Sequence, residues 1–145
     1  MAGCRCALGA AVPAPLNCEL IRPMPIVDVE LVYPNKGEAP PVSAATLASA
    51  LGAVFGSVPG STWVRVRFLP SSAYAENEFE VNTEELPTFV TVLQAHWPVG
   101  DALAEQVRQV TQAVAACLSV PPERVHVQYA PEAAGRQAFG GNLVG

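Results

Sequence analysis

The feature that most constrains this chain is an internal repeat. Val64-Arg65-Val66-Arg67-Phe68 has a counterpart in pattern 61 residues further on, Val125-His126-Val127-Gln128-Tyr129. Both alternate β-branched or aromatic residues with polar ones, the period-two signature of a strand with one buried face. Each is preceded by a segment of helical periodicity, and that in turn by a strand opening on proline: Pro25-Ile26-Val27 and Pro87-Thr88-Phe89. The order is therefore strand, helix, strand, twice over. Right-handed crossovers make the two strands of each unit parallel. Two such units related by a pseudo-two-fold predict an α/β chain of the α+β sandwich type, with a four-stranded mixed sheet and both helices on one face. The opposite sheet face then needs cover, which a ring of subunits would supply.

Within that frame the chain divides as follows. Residues 1–23 are expected to be a disordered extension or a misassigned start, and 24–145 a single domain. Repeat one spans 25–70, repeat two 87–131, and a C-terminal hairpin 135–145. In strand one, Val27, Val29 and Leu31 share a face opposite Asp28 and Glu30. Turn formers fill 33–41. Ser43 is the expected N-cap of a buried helix over 44–57 carrying Leu47, Leu51, Val54 and Phe55. Strand two covers 62–69, with Arg65 and Arg67 on the face of Trp63. A polar connection over 70–86 holds Tyr74, Asn77 and five acids, with Phe79 and Val81 as a possible hairpin arm. Strand three follows from Pro87 to Leu93. Asp101 is the expected N-cap of a helix over 102–118, and Pro121-Pro122 break it before strand four at 124–129. Gly135, Gly140 and Gly141 hinge the final hairpin.

Composition removes several function classes. The net charge is −5 with no run of Lys or Arg, so neither nucleic acid nor an anionic membrane surface is an expected partner. No apolar stretch reaches the ~20 residues that span a bilayer. Half of the residues are hydrophobic and only 14% charged, which is apolar for a small monomer and argues for subunit contacts. Three of the four cysteines (Cys4, Cys6 and Cys18) precede the inferred fold, and Cys117 sits in a helical pattern. Neither a zinc spacing nor a disulfide framework results, and the reducing cytoplasm is the expected compartment.

The pair Met24-Pro25 at the head of strand one carries the functional reading. A chain starting at Met24 and losing it would expose the secondary amine of Pro25; in a chain starting at Met1 the same nitrogen is a non-basic amide. Together with the strand Trp63-Val64-Arg65-Val66-Arg67 and the closing Ala138-Phe139-Gly140-Gly141-Asn142-Leu143, this pair resembles the tautomerase superfamily over about residues 25–143. That superfamily includes 4-oxalocrotonate tautomerase (4-OT) and macrophage migration inhibitory factor. The resemblance implies a homotrimer without cofactor or metal, acting on a small carboxylic acid through a catalytic Pro25. In an apolar pocket with arginines nearby, the charged form of such an amine is disfavoured, and the neutral base removes a proton next to a carbonyl. Arg65 and Arg67 are the expected holders of a substrate carboxylate, with Tyr74, Asn77 and Arg136 as further substrate-binding candidates.

Each candidate has a plainer reading. Pro25 and Pro87 both suit strand starts on structural grounds alone. Arg65 and Arg67 suit the wet face of a half-buried sheet, Asn77 suits a turn, and Arg136 suits a charged rim. The acids over 76–85 read as a solvated loop, and Cys117 as a small core residue. Three functions follow from the resemblance. The first is keto–enol tautomerisation of a 2-oxo or 2-hydroxy-dienoic acid, with the proline as base. The second is decarboxylation or dehalogenation of a three-carbon acid, with the proline as acid. That chemistry also wants a carboxylate to orient water, and Asp28 and Glu30 in the first strand do not obviously supply it. The third is a non-enzymatic trimeric binding protein in which the extension masks Pro25.

Overall fold

The computed structural model describes residues 24–145; the expectation about residues 1–23 lies outside that range. Two β-α-β units are joined through their first strands. Strand β1 (Ile26–Tyr33) leads through helix α1 (Ala44–Phe55) to β2 (Trp63–Pro70). Strand β3 (Thr88–Leu93) leads through α2 (Asp101–Leu118) to β4 (Val125–Tyr129). Within each unit the strands are parallel, and β1 and β3 pair antiparallel at the centre, giving the order β2-β1-β3-β4. The mixed four-stranded sheet with two helices is the architecture that the repeat implied. A short hairpin of β5 (Ala138–Phe139) and β6 (Asn142–Leu143) closes the chain.

The alternation of the strands decides which face the helices cover. Val27 and Val29 of β1 and Val90 and Val92 of β3 are buried, and they meet Leu47 and Leu51 of α1 and Val110 and Val114 of α2. Burying each such side chain contributes on the order of 1.5–3 kcal/mol, which fixes the strand register because a one-residue slip would turn the whole set outward. The alternate residues of the two central strands (Asp28, Glu30, Phe89 and Thr91) look the other way.

The ends of the elements refine the expectations. Ser43 caps α1 as expected, its hydroxyl accepting from the Thr46 N–H at 3.1 Å. Gly56 ends that helix in a left-handed conformation, two residues before the expected end. Asp101 is the first residue of α2 and not its cap; the capping position belongs to Gly100, whose φ of +60° suits a residue without Cβ. In the 70–86 connection, Phe79 makes a single bridge to Glu76 and no hairpin arm forms. That bridge closes a turn in which Glu78 takes a φ of +57°.

Candidate active site

Pro25 stands one residue ahead of β1, and its ring is fully buried. Its carbonyl accepts from the Trp63 N–H at 3.0 Å, which extends the β1–β2 ladder by one rung and fixes the proline at the mouth of the central strand. Pro25 precedes Val27 by two residues and therefore shares the helix side of the sheet. Trp63 packs edge-on against Phe139 with ring centroids 5.0 Å apart, so the C-terminal hairpin is anchored beside this mouth. Its indole N–H donates to the Gly60 carbonyl at 3.1 Å. Arg136 belongs to the same end: it lies in the turn before the hairpin, its backbone N–H donating to the Ala133 carbonyl at 2.9 Å, with its side chain exposed.

Arg65 and Arg67 lie on the opposite sheet face. Register pairs Arg65 with Asp28 and Arg67 with Glu30. Asp28 accepts from Arg65 Nε at 2.5 Å and Nη2 at 2.7 Å, a two-pronged ion pair that fills one edge of the guanidinium. That hydrogen bond, with the attraction between the two charges, raises the Arg65 pKa further above its usual value. A carboxylate of the chain itself thus sits where the sequence reading expected a substrate carboxylate. Arg67 has no ion-pair partner among the described residues.

Tyr74 and Asn77 are at the far end of the sheet. The Tyr74 ring lies 5.9 Å from Phe89, and its hydroxyl donates to Glu76 at 2.9 Å. Burial first, and then that bond, push the Tyr74 hydroxyl above its ordinary pKa. Asn77 occupies the Glu76–Phe79 turn and is exposed. Arg67 and Tyr74 share the wall of an open basin of about 420 Å3 on the open face. From Pro25 to Glu30, which also lines this basin, is five residues of extended chain, about 17 Å.

The six candidates therefore divide within one subunit: Pro25 and Arg136 at one end, Arg65 and Arg67 on the open face, where Arg67 shares the basin with Tyr74, and Asn77 in the turn beyond it. The basin on the open face is lined by Arg67 and not by Pro25. What the sequence reading missed is the Asp28–Arg65 pair. The signal was present, since both residues belong to the polar set of adjacent parallel strands, but the register that sets them side by side was not. No group of His, Cys, Asp or Glu suited to a metal ion occurs among the described residues. No helix among them is long and apolar enough to cross a membrane.

No protein-family model matches the sequence, and no curated protein matches it. Solved structures do. A fused 4-OT wild-type symmetric trimer superposes with a TM-score of 0.64 at 15% identity, covering 82% of this chain and 94% of its own. A macrophage migration inhibitory factor homologue from Prochlorococcus marinus gives 0.59 at 18% identity, covering 83% and 99%. Pt0534 inactivated by 2-oxo-3-pentynoate gives 0.62 at 13%, covering 82% and 95%. The chain has the fold of these structures across nearly their whole length.

Proposed function

We propose that this chain is the subunit of a homotrimeric, cofactor-independent tautomerase of the cytoplasm, acting on a small 2-oxo or 2-hydroxy-dienoic acid with Pro25 as general base. The observation that carries the reading is the position of Pro25: a buried proline at the mouth of the central strand of a fold shared with 4-OT and macrophage migration inhibitory factor homologues. A nitrogen there, once free of Met24, is a secondary amine in apolar surroundings, where its charged form is disfavoured and the neutral base is available at pH 7. Two of the similar structures are described as symmetric and asymmetric fused 4-OT trimers, which supports a trimer. Another is described as inactivated by 2-oxo-3-pentynoate, which supports a small 2-oxo acid as substrate class.

In this mechanism the amine of Pro25 takes a proton from carbon next to the carbonyl, and the resulting dienolate is held by a guanidinium. In the trimer proposed here, the guanidinium is that of Arg65 from a neighbouring copy. The test compares two forms on phenylenolpyruvate ketonisation: the full chain, and a form whose first residue is Pro25. The shorter form is expected to be active and the full chain silent. Pro25→Ala in the shorter form should lower kcat by about 10²–10⁴. An inactive Pro25-first form, or an unchanged Pro25→Ala variant, refutes the reading.

One observation favours a second reading. In the full chain Pro25 is an amide with a fully buried ring, and Asp28 already engages Arg65. A trimeric binding protein without enzyme activity has no need of either group in a free state. Inactivity of both forms alongside intact oligomers would favour it.

A further inference from the structure

The side-chain carbonyl of Gln94 is an acceptor without a donor. Gln94 follows β3 and is 8% exposed, and its Oε1 is buried with no hydrogen-bond partner among the described residues. Such a group costs stability until something serves it. The aromatic donors at this end of the sheet are committed elsewhere. The Trp97 indole donates to the Ala130 carbonyl, the Trp63 indole to the Gly60 carbonyl and the Tyr129 hydroxyl to Gln106. The main-chain N–H of Trp97 donates to Glu132.

Ile26 is the register partner of Leu93, so one step outward Pro25 comes opposite Gln94. The Pro25 carbonyl turns to β2, and the Gln94 carbonyl turns to the chain after β4, accepting from the Ala133 N–H at 2.8 Å. The two therefore face each other without main-chain bonds between them, the kind of pair whose Cα atoms approach to about 4.5 Å and whose side chains come closest. Both belong to the helix side, Pro25 by alternation from Val27 and Gln94 by alternation from Val92. In the full chain the Pro25 nitrogen carries no hydrogen and has nothing to give Gln94. Freed from Met24 it is a secondary amine, with one N–H when neutral and two when protonated. We propose that Gln94 is the positioning residue of Pro25, its Oε1 accepting from the freed amine and leaving the nitrogen lone pair available for proton transfer. The inference rests on the reading of Pro25 as a free amine. An acceptor beside the nitrogen also favours its charged form, which opposes the effect of burial and draws the pKa of the amine back towards neutrality, where a general base works best.

The test places Gln94→Met, close in size but without the acceptor, in the full chain and in the form beginning at Pro25, which keeps every strand and helix described above. In the full chain the change removes an unserved acceptor, so the urea midpoint at pH 7 holds or rises. In the Pro25-first form it removes a bond and the midpoint falls, with a dispersed amide spectrum as the check on folding. The Pro25 amine of that form is then titrated through the 15N signal of labelled proline. Gln94→Met should lower its pKa by about one unit, and Gln94→Glu, which keeps an acceptor and adds a negative charge, should raise it. His96 and Glu132, 3.8 Å apart, and Arg136 are the charged or titratable neighbours in the adjoining turns; they are common to all the variants and cancel in the comparison. A midpoint change of the same sign in both forms, or an amine whose pKa ignores both substitutions, overturns the proposal. Neither readout depends on turnover. An inactive Pro25-first form with a shifted amine pKa refutes the tautomerase and supports the Gln94 contact; an active form with an unmoved pKa does the reverse.

Discussion

Two glycines four residues apart, one inside α1 and one capping its end, should respond to alanine in opposite directions. Gly52 lies inside the helix, and a Cβ built on it would sit 3.7 Å from Thr62 Oγ1 and 3.9 Å from Thr62 Cβ, ordinary contact distances. The Thr62 hydroxyl is buried without a hydrogen-bond partner, so the added methyl breaks no protein bond. Gly52→Ala then recovers the backbone entropy that glycine loses in a helix, about 0.8–1 kcal/mol. Gly56 is different. It has φ +62° and ψ +32°, and the next residue, Ser57, bonds back to the Gly52 carbonyl at 2.9 Å, the closing turn of the helix. No neighbour lies within 4 Å of its added Cβ, so the cost to alanine is that of the left-handed backbone itself, roughly 1–2 kcal/mol, offset in part by a stiffer unfolded chain. The two variants should therefore differ by about 1.5–2 kcal/mol, or on the order of 5–10 °C in Tm for a chain of this size. Urea denaturation followed by circular dichroism, at one fixed subunit concentration, separates them as a shift of midpoint with unchanged slope. A lower midpoint for Gly52→Ala would mean that something approaches this helix more closely than Thr62 does, and the reasoning from local geometry would fail.

Two further outcomes follow from named contacts. Burial raises the Tyr129 hydroxyl above its ordinary pKa of 10.0. The folded state thus holds that proton more tightly than the unfolded chain does; this contribution is fully present below about pH 10 and is lost as pH rises through the folded-state pKa. Tyr129→Phe should flatten the alkaline limb of the stability profile, while at neutral pH it loses the 2.8 Å bond to Gln106, about 1 kcal/mol; an unchanged alkaline limb would rule Tyr129 out as its source. Phe139→Ala removes the edge-on contact with Trp63, worth about 0.5–1.5 kcal/mol beyond its area, and should speed amide exchange across residues 138–143 while leaving β3 protected. Exchange that rises equally in both segments would refute the hairpin as a separately anchored unit.

The fold was legible because two periods carry it. Val27, Val29, Val64, Val66, Val125 and Val127 alternate with mostly polar residues at a spacing that only strands satisfy, Val90 and Val92 sit in a β-branched run, and the proline-opened repeat dictates how the strands connect. Helix ends were less legible. Asp101 looks like a cap by residue type, but Gly100 alone tolerates the positive φ that the turn imposes. The site was the least legible, since a site depends on which polar residues of different strands become neighbours. Arg65 and Asp28 are 37 positions apart, and their pairing exists only once β1 and β2 are in register. Trp63 meeting Phe139 is likewise a product of packing, with no periodic signal to announce it.

Alternation also gives the proposed chemistry its most exposed consequence. Pro25 shares the side of Val27, whereas Arg65 is in register with Asp28 on the other side. The reacting atom is the Pro25 nitrogen, in the main chain at the mouth of β1, while Arg65 of the same copy is turned to Asp28; the trimer proposed above would bring in the arginine of a neighbouring copy. In a ring each copy then lends its proline to one site and its arginine to the next. Take Pro25→Ala and Arg65→Gln, each inactive as a homo-oligomer in the Pro25-first form, and unfold and refold them together in equal amounts. An intact site requires the proline from an Arg65→Gln copy and the arginine from a neighbouring Pro25→Ala copy. Random assembly produces that arrangement at about a quarter of the sites. Phenylenolpyruvate ketonisation should recover to about a quarter of the unmutated rate, where mixing without refolding gives nothing. If refolded mixtures stay silent although mass measurement shows mixed oligomers, the arginine and the proline do not meet across copies. Arg65 is then what its bond to Asp28 makes it within one subunit, a clasp between β1 and β2.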